Sequence, residues 1–310
     1  MNTYKTTQWR VATQLPILRH FFLGCSLFLL ALPVMAQDEA ASQATSDKPV
    51  RSTFEGTFLL DNQSVMVPVK GTFEFQIQHR FGTMGIGVKD LFGMYAPSNI
   101  RLGFAYAPID KLSLGFGFSK KNLLLDFSAK YGLLKQYEGW RMPVSVTYYG
   151  NMAINPSAAE DITIYHPSDR ISYFHQLIIA RKFNKWLSVQ IAPSLSHYNL
   201  QTVKTMKNDH FAISFGIQAK VKESMAIIFN VDQPITQHDQ NNPNPNMSLG
   251  LQMSTSGHNF QIFIGNFDGL IPQENNMYND RNPYKNWNDF SYQTASHFRI
   301  GFNITRASNY

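Results

Sequence analysis

The 310-residue sequence predicts an all-β protein, an antiparallel up-and-down transmembrane barrel of about 12 strands with short periplasmic turns and long extracellular loops. Three observations carry this expectation. From Ile100 to Tyr131 apolar residues fall on every second position: Ile100, Leu102, Phe104 and Tyr106, then Leu112, Leu114, Phe116 and Phe118, then Leu123, Leu125, Phe127 and Tyr131. Such strict period-two alternation gives each strand one apolar and one polar face. No amphipathic helix offers a second apolar layer, so the apolar face suits lipid and the small, polar face suits a watery interior. Finally, tight turns alternate with long polar connections along the chain, except that Lys120–Asn122 is short for a long side and Leu133–Trp140 long for a short one.

The first 36 residues read as an address. Lys5, Arg10 and Arg19 precede an apolar run from Phe21 to Leu32, and Val34-Met35-Ala36 is followed by Gln37-Asp38-Glu39. A basic start, a short apolar core and small residues before the break describe a secretory signal peptide. Gly24-Cys25 sits too early in the run for a lipoprotein site. Removing residues 1–36 takes away three basic and no acidic side chains, so Lys+Arg falls from 27 to 24 against 21 acids and the net charge from +6 to +3. That balance gives no case for a nucleic-acid partner. The single cysteine, Cys25, leaves with the peptide, so disulfides, thiol nucleophiles and Cys-based metal sites are excluded from the mature chain.

Residues 37–50 read as a flexible periplasmic leader. In 51–70, weak strand character around Phe58 to Leu60 and Val65 to Val69 is broken by Asp61-Asn62 and Pro68. This segment reads as a plug, a short extra hairpin or an ordered arm at the barrel base, and its residues leave the three open. The barrel occupies 71–310. Its strands are expected near 72–81, 100–107, 111–119, 123–131, 141–150, 171–182, 186–197, 210–221, 225–232, 246–255, 258–267 and 296–306. Ile109-Asp110, Asn184-Lys185, Lys222-Glu223-Ser224 and Ser256-Gly257 are turn formers. Tyr106, Tyr131, Trp140, Phe183 and Trp186 by the turns, and Tyr148, Tyr173, Phe211, Phe267 and Phe298 by the loops, are candidates for two interfacial belts.

Three motifs support a resemblance: Gln78-His79-Arg80-Phe81-Gly82, Ser256-Gly257-His258-Asn259-Phe260-Gln261 and Gly301-Phe302-Asn303-Ile304-Thr305-Arg306. They resemble an uncharacterised outer-membrane β-barrel family, known only as a domain of unknown function and typical of Bacteroidetes-type bacteria. The resemblance covers about Phe54 to Arg306. It implies a barrel in the outer membrane of a Gram-negative cell and transfers no activity and no catalytic residue.

Parity assigns the lumen. Glu74, Gln76, Gln78 and Arg80 come from the first barrel strand, Arg101 from the second, and Asp126 and Lys130 from the fourth. Gln190, Gln218, Lys220, Gln252, Gln261, Arg299 and Asn303 follow, whereas the third strand contributes only glycine and serine. Such walls suit a passive channel or binding barrel for a small polar or anionic solute. The alternative is a structural barrel whose loops bind a surface or periplasmic protein.

An enzyme is not expected: there is no Gly-x-Ser-x-Gly and no His-Asp-Ser run like that of the outer-membrane phospholipases. No cofactor and no metal are expected either, and His238-Asp239 reads as part of a solvated Asn/Pro-rich loop. Arg80, Arg101 and Arg299, with His297 nearby, share lumen parity toward the loop ends of their strands. They are expected either to form one basic patch at the outer mouth, able to hold a carboxylate or phosphate, or to pair internally with acids such as Asp90, Glu274 or Asp289.

Overall fold

The computed structural model describes residues 48–138, 141–157, 164, 166–201, 203–284 and 295–309. The signal peptide, residues 37–47 of the leader, Trp140, Asp289 and Tyr310 lie outside them.

Two short strands, β1 (Phe58–Leu59) and β2 (Asn62–Gln63), form a small hairpin ahead of the barrel. The wall follows as β3 (Thr72–Thr83), β4 (Asn99–Ile109), β5 (Leu112–Ser119), β6 (Leu125–Leu134), β7 (Ser145–Ile154) and β8 (Ile171–Lys182). It continues as β9 (Leu187–Tyr198), β10 (Asp209–Lys222), β11 (Met225–Pro234), β12 (Asn246–Ser254), β13 (His258–Gly265) and β14 (Arg299–Asn309). Each wall strand pairs antiparallel with its neighbours, and β14 closes onto β3 through pairs such as Asn303↔Gln78 and Gly301↔Arg80. Closure removes the free edges that an open sheet would leave unsatisfied in lipid. Among the described residues no helix is long and apolar enough to cross a membrane.

Burial follows the alternation. On β3, Glu74, Gln76, Gln78 and Arg80 are buried inside, while Phe73 and its parity mates face outward. On β5, Leu114, Phe116 and Phe118 are exposed on the outer face and Ser113 and Ser119 are buried.

The fifth wall strand departs from expectation: β7 runs from Ser145 to Ile154 instead of 141–150. Pro143 has no N–H for the ladder, so pairing starts beyond it and continues through Asn151–Ile154 against Ile171–Phe174. Parity survives a four-residue shift, but Tyr148 moves from the loop end to the turn end, opposite Tyr131. Phe267 also leaves its expected belt. It is buried, packed beside Phe263 with ring centroids 6.3 Å apart.

Candidate functional site

The site is the lumen, and residues 51–70 fill much of it. The chain enters on the turn side, where Val50 N–H donates to Gln136 O at 2.8 Å and Pro49 bridges Tyr137. It rises to a tip at Leu60-Asp61 and returns through Pro68 to β3. Leu60 takes a left-handed φ of 58° in this tight turn.

Wall side chains grip its backbone throughout. Gln261 Nε2 donates to Phe58 O at 3.0 Å, Asn303 Nδ2 to Leu60 O at 2.6 Å and Gln190 Nε2 to Gln63 O at 2.7 Å. Thr147 Oγ1 donates to Val65 O at 2.7 Å. Lys130 Nζ donates to both Thr57 O at 3.0 Å and Met66 O at 3.3 Å, so one ammonium holds both arms. Buried backbone polar groups require partners, and the inward-facing polar residues supply them.

The lumen has two unlike halves. Toward β8–β13 the wall turns apolar: Phe174, Ile178, Ala192, Ile228 and Phe263 pack with Phe54, Leu59, Leu60 and Val65 of the inner segment. This explains why β8 carries apolar residues on both parities, since one face meets lipid and the other meets the inner segment. His175 takes the outer face, where its Nδ1 lies 2.6 Å from Tyr148 Oη.

Toward β3–β7 the wall is polar. A cavity of about 40 Å³ remains there, bordered by Glu74, Gln76, Arg101, Asp126, Lys130 and Ser128. That volume holds a few waters, not a solute.

Arg101 dominates this half. Its Nε and Nη2 donate to Asp126 Oδ2 and Oδ1, each at 2.7 Å, and Nη1 reaches Gln78 Oε1 at 3.1 Å. The fork lies across the glycines of the thin wall, where a Cβ at Gly117 would collide with the guanidinium. Glycine here makes room for a charged side chain.

A lid closes the loop side. The β13–β14 connection folds into the mouth and carries a short helix, α1 (Pro272–Tyr278). Leu270, Ile271 and Pro272 roof the cavity, and Ile271 packs with Leu124 and Ala153. Gln273 Nε2 donates to Asn151 Oδ1 at 3.0 Å, and Asn275 Nδ2 to Asp61 Oδ2 at 2.8 Å, so the lid touches the tip of the inner segment. Lys121 Nζ lies 3.1 Å from Glu274 and 3.3 Å from Asp268. Burial pushes the Glu274 carboxyl up despite the Lys121 ammonium beside it. Burial also pushes the Asp268 carboxyl up, but the Arg299 and Lys121 charges outweigh it and hold the group below its ordinary value.

The three arginines expected at the mouth do not form one open patch, because each is paired with a carboxylate. Arg80 is fully buried, 3.5 Å from Asp61, with its guanidinium 4.6 Å from the Phe263 ring centroid. Arg101 holds Asp126. Arg299 lies 3.4 Å from Asp268. His297 is half-buried two residues before β14.

The acids differ from those expected. Asp90 accepts from Gly93 N–H within its own loop, Glu274 faces Lys121, and Asp289 lies outside the described residues. Buried guanidiniums demand counter-charges: the inner segment brings Asp61 to Arg80, the wall strand β6 brings Asp126 to Arg101, and the β13–β14 connection brings Asp268 to Arg299. Glu74 accepts from Thr57 Oγ1 at 3.1 Å, Gln252 Oε1 accepts from Gln218 at 3.0 Å and from Gln261 at 3.3 Å, and Gln76 joins Glu74 at 3.4 Å.

His238 corrects another expectation. It is buried, its Nδ1 accepts from Lys207 N–H at 2.9 Å, and its Nε2 lies 2.9 Å from Nδ1 of His210, with the two rings stacked. The β11–β12 loop folds back over the mouth to place it there. Among the described residues no group of three or more His, Cys, Asp or Glu is gathered as a metal site.

Residues 54–307 match the family model of a membrane-bound β-barrel domain, DUF5777. The chain belongs to this DUF5777 family. No curated protein matches the sequence.

Among solved structures, the chain is similar to a COG4313 outer membrane channel from Pseudomonas putida F1, with a TM-score of 0.48 and 12% identity over 78% of this chain and 97% of that one. It is also similar to the NanC porin, with a TM-score of 0.46 and 8% identity over 77% and 99% of the two chains. For the KdgM porin the TM-score is 0.44 and the identity 7% over the same shares, 77% and 99%.

Proposed function

We propose that this DUF5777 barrel is a narrow outer-membrane channel for small polar solutes, closed at rest by the lid formed by Leu270–Tyr278. The observation that carries the reading is the asymmetry of the lumen. On the β8–β13 side the inner segment seats in an apolar core, and moving it would expose Phe54, Leu59, Leu60 and Val65 to water. On the β3–β7 side the contacts are polar and ionic, and a water-sized cavity already lies between wall and inner segment. A route there needs the lid to move and the polar contacts between wall and inner segment to yield, while the apolar half stays packed. Arg101, Asp126, Lys130 and Glu74 would then line it, giving passing ions and polar solutes both signs of charge to exchange for water. The membrane is reached after cleavage behind Ala36, and the long-loop side faces outward, as the short-turn pattern of such barrels implies.

A second reading draws on the same apolar core. A barrel whose interior is packed like a protein core suits a rigid, silent scaffold that presents its loops to a protein partner.

Conductance separates the two. Purified barrel in a planar bilayer should be closed or flicker, and deletion of residues 269–279 should give stable steps. A short bis-maleimide bridge between Asp61→Cys and Asn275→Cys should hold the channel shut. A folded lid deletion that stays silent would defeat the channel and leave the scaffold.

A further inference from the structure

The loop joining β3 to β4 is unlike the others at its rim. It contains Ile86, Val88, Leu91, Phe92, Met94 and Tyr95, all exposed, with Val88 at 73% and Tyr95 at 77%. The described residues of the other long-loop connections expose large apolar side chains only singly, as Leu123, Ile235 and Tyr284. A cluster of six is a patch that demands an explanation.

The backbone beneath the patch is closed on itself. A 3-10 turn, Met84–Asp90, leads into a knot in which Leu91 N–H donates to Val88 O and Phe92 N–H to Gly87 O at 2.7 Å. Met94 N–H donates to Leu91 O, Tyr95 N–H to Asp90 O, and Gly93 N–H to Asp90 Oδ1 at 3.0 Å. Leu91 and Phe92 both take left-handed φ values, 50° and 56°, which bulky L-residues adopt only under constraint. A loop bathed in water has no need to satisfy its own amides, whereas one entering lipid must.

Charge and position point the same way. Lys89 and Asp90 are the only charged residues between Thr83 and Ser98 and leave the loop with no net charge, so no block of like charge specifies a protein partner. The loop springs from Thr83, at the end of β3, whose outer-face His79 and Phe81 cluster with Phe302 of the neighbouring β14, His79 stacked on Phe302 at 5.0 Å. The patch therefore continues the lipid-facing surface past the rim.

We propose that the β3–β4 loop is a membrane-inserting knot that sinks its apolar side chains into the lipid leaflet at the long-loop rim. Tyr95 and Lys89 fit the headgroup level, where amphipathic side chains keep a polar end wet. The proposal needs a membrane-bound barrel but not a conducting one, so its test is independent of the channel.

The test replaces the native tryptophans of the full mature barrel with phenylalanine and introduces one reporter at a time: Tyr95→Trp, Ile86→Trp, or Leu114→Trp as the mid-strand control. Each folded barrel is reconstituted in phosphatidylcholine vesicles with acyl chains brominated either near the glycerol end or near the methyl end. The expected result is loss of fluorescence at residues 95 and 86, greater with shallow than with deep bromine, and the reverse order at 114. Water-like emission without quenching at both loop positions, while 114 is quenched, would overturn the proposal. Blue-shifted emission without quenching would also overturn it, because a second copy of the chain would then be covering the loop.

Discussion

Replacing Lys130 with methionine removes the one ammonium that ties both arms of the inner segment to the wall. Methionine keeps the length and the apolar stem of the side chain, so packing changes little. The Thr57 carbonyl keeps its second donor, Ser64 N–H at 2.9 Å, but the Met66 carbonyl loses the donor it has. A hydrogen bond to a charged donor contributes about 1.5–3 kcal/mol, and a buried carbonyl left without a partner costs about 1–3 kcal/mol. The adjoining cavity supplies some water, and the variant no longer buries the ammonium although Glu74 loses the charge that faces it, so the net loss in docking should be about 2–4 kcal/mol.

At 1.4 kcal/mol per factor of ten, local opening of the segment becomes roughly 30- to 1,000-fold more frequent. Hydrogen exchange reads this directly, because Ser64 N–H is held by Thr57 O and Val65 N–H by Gln190 Oε1 at 3.1 Å. Both amides should exchange faster by that factor in the folded barrel, while amides of β9 and β10 keep their protection. Lys121→Met is the control: its side chain is 42% exposed, its pairs are worth at most about 1 kcal/mol, and Ser64 and Val65 should be unaffected. Unchanged exchange at both amides in a folded Lys130→Met barrel would refute the clamp.

Other perturbations read other parts of the structure. Leu114→Arg places a charge on the lipid face and should cost about 2–4 kcal/mol near the midplane, whereas Ser113→Arg, facing the lumen, should do less harm; refolding yield into vesicles compares them. Gly117→Val drives a side chain into the Arg101 fork and should break its bond with Asp126, seen as a lower unfolding midpoint in denaturant that Gly117→Ala only partly shares. Phe263→Ala removes the ring under Arg80 and leaves a void beside Leu59 and Phe267, costing about 3–5 kcal/mol in the same titration. Ile271→Ser unseats the lid from Leu124 and Ala153 and should increase open-channel time in a bilayer without altering the unfolding midpoint of the barrel.

Much of the wall could be read from the chain because alternation is local. A strand's two faces differ within its own few residues, and ring closure only requires that successive strands agree. The twelve wall strands, the inward placement of Glu74, Gln78, Lys130 and Gln261, and the outward placement of Leu114 all follow from that period. Even the Arg101–Asp126 pair left a trace. Gly103, on the strand of Arg101, and Gly117, on the one strand between Arg101 and Asp126, open a path across the wall, although no periodicity marks the two charged residues as partners.

What fills the barrel left no such pattern. The inner segment is weakly strand-like and broken by Asp61 and Pro68, because beyond the two residue pairs of its β1–β2 hairpin it is satisfied by side chains of the wall. Asp61 meets Arg80 and Asn275, and Asp268 meets Arg299 across the mouth, only once a ring of twelve strands has brought distant loops together. The same holds for His210 and His238, which meet only when the β11–β12 loop folds inward. Amino-acid order determined which side chains face the lumen, since that depends on neighbours two residues away. Only the tertiary structure decided which charges neutralise each other there, since a buried charge takes whatever counter-charge the closed ring places within reach.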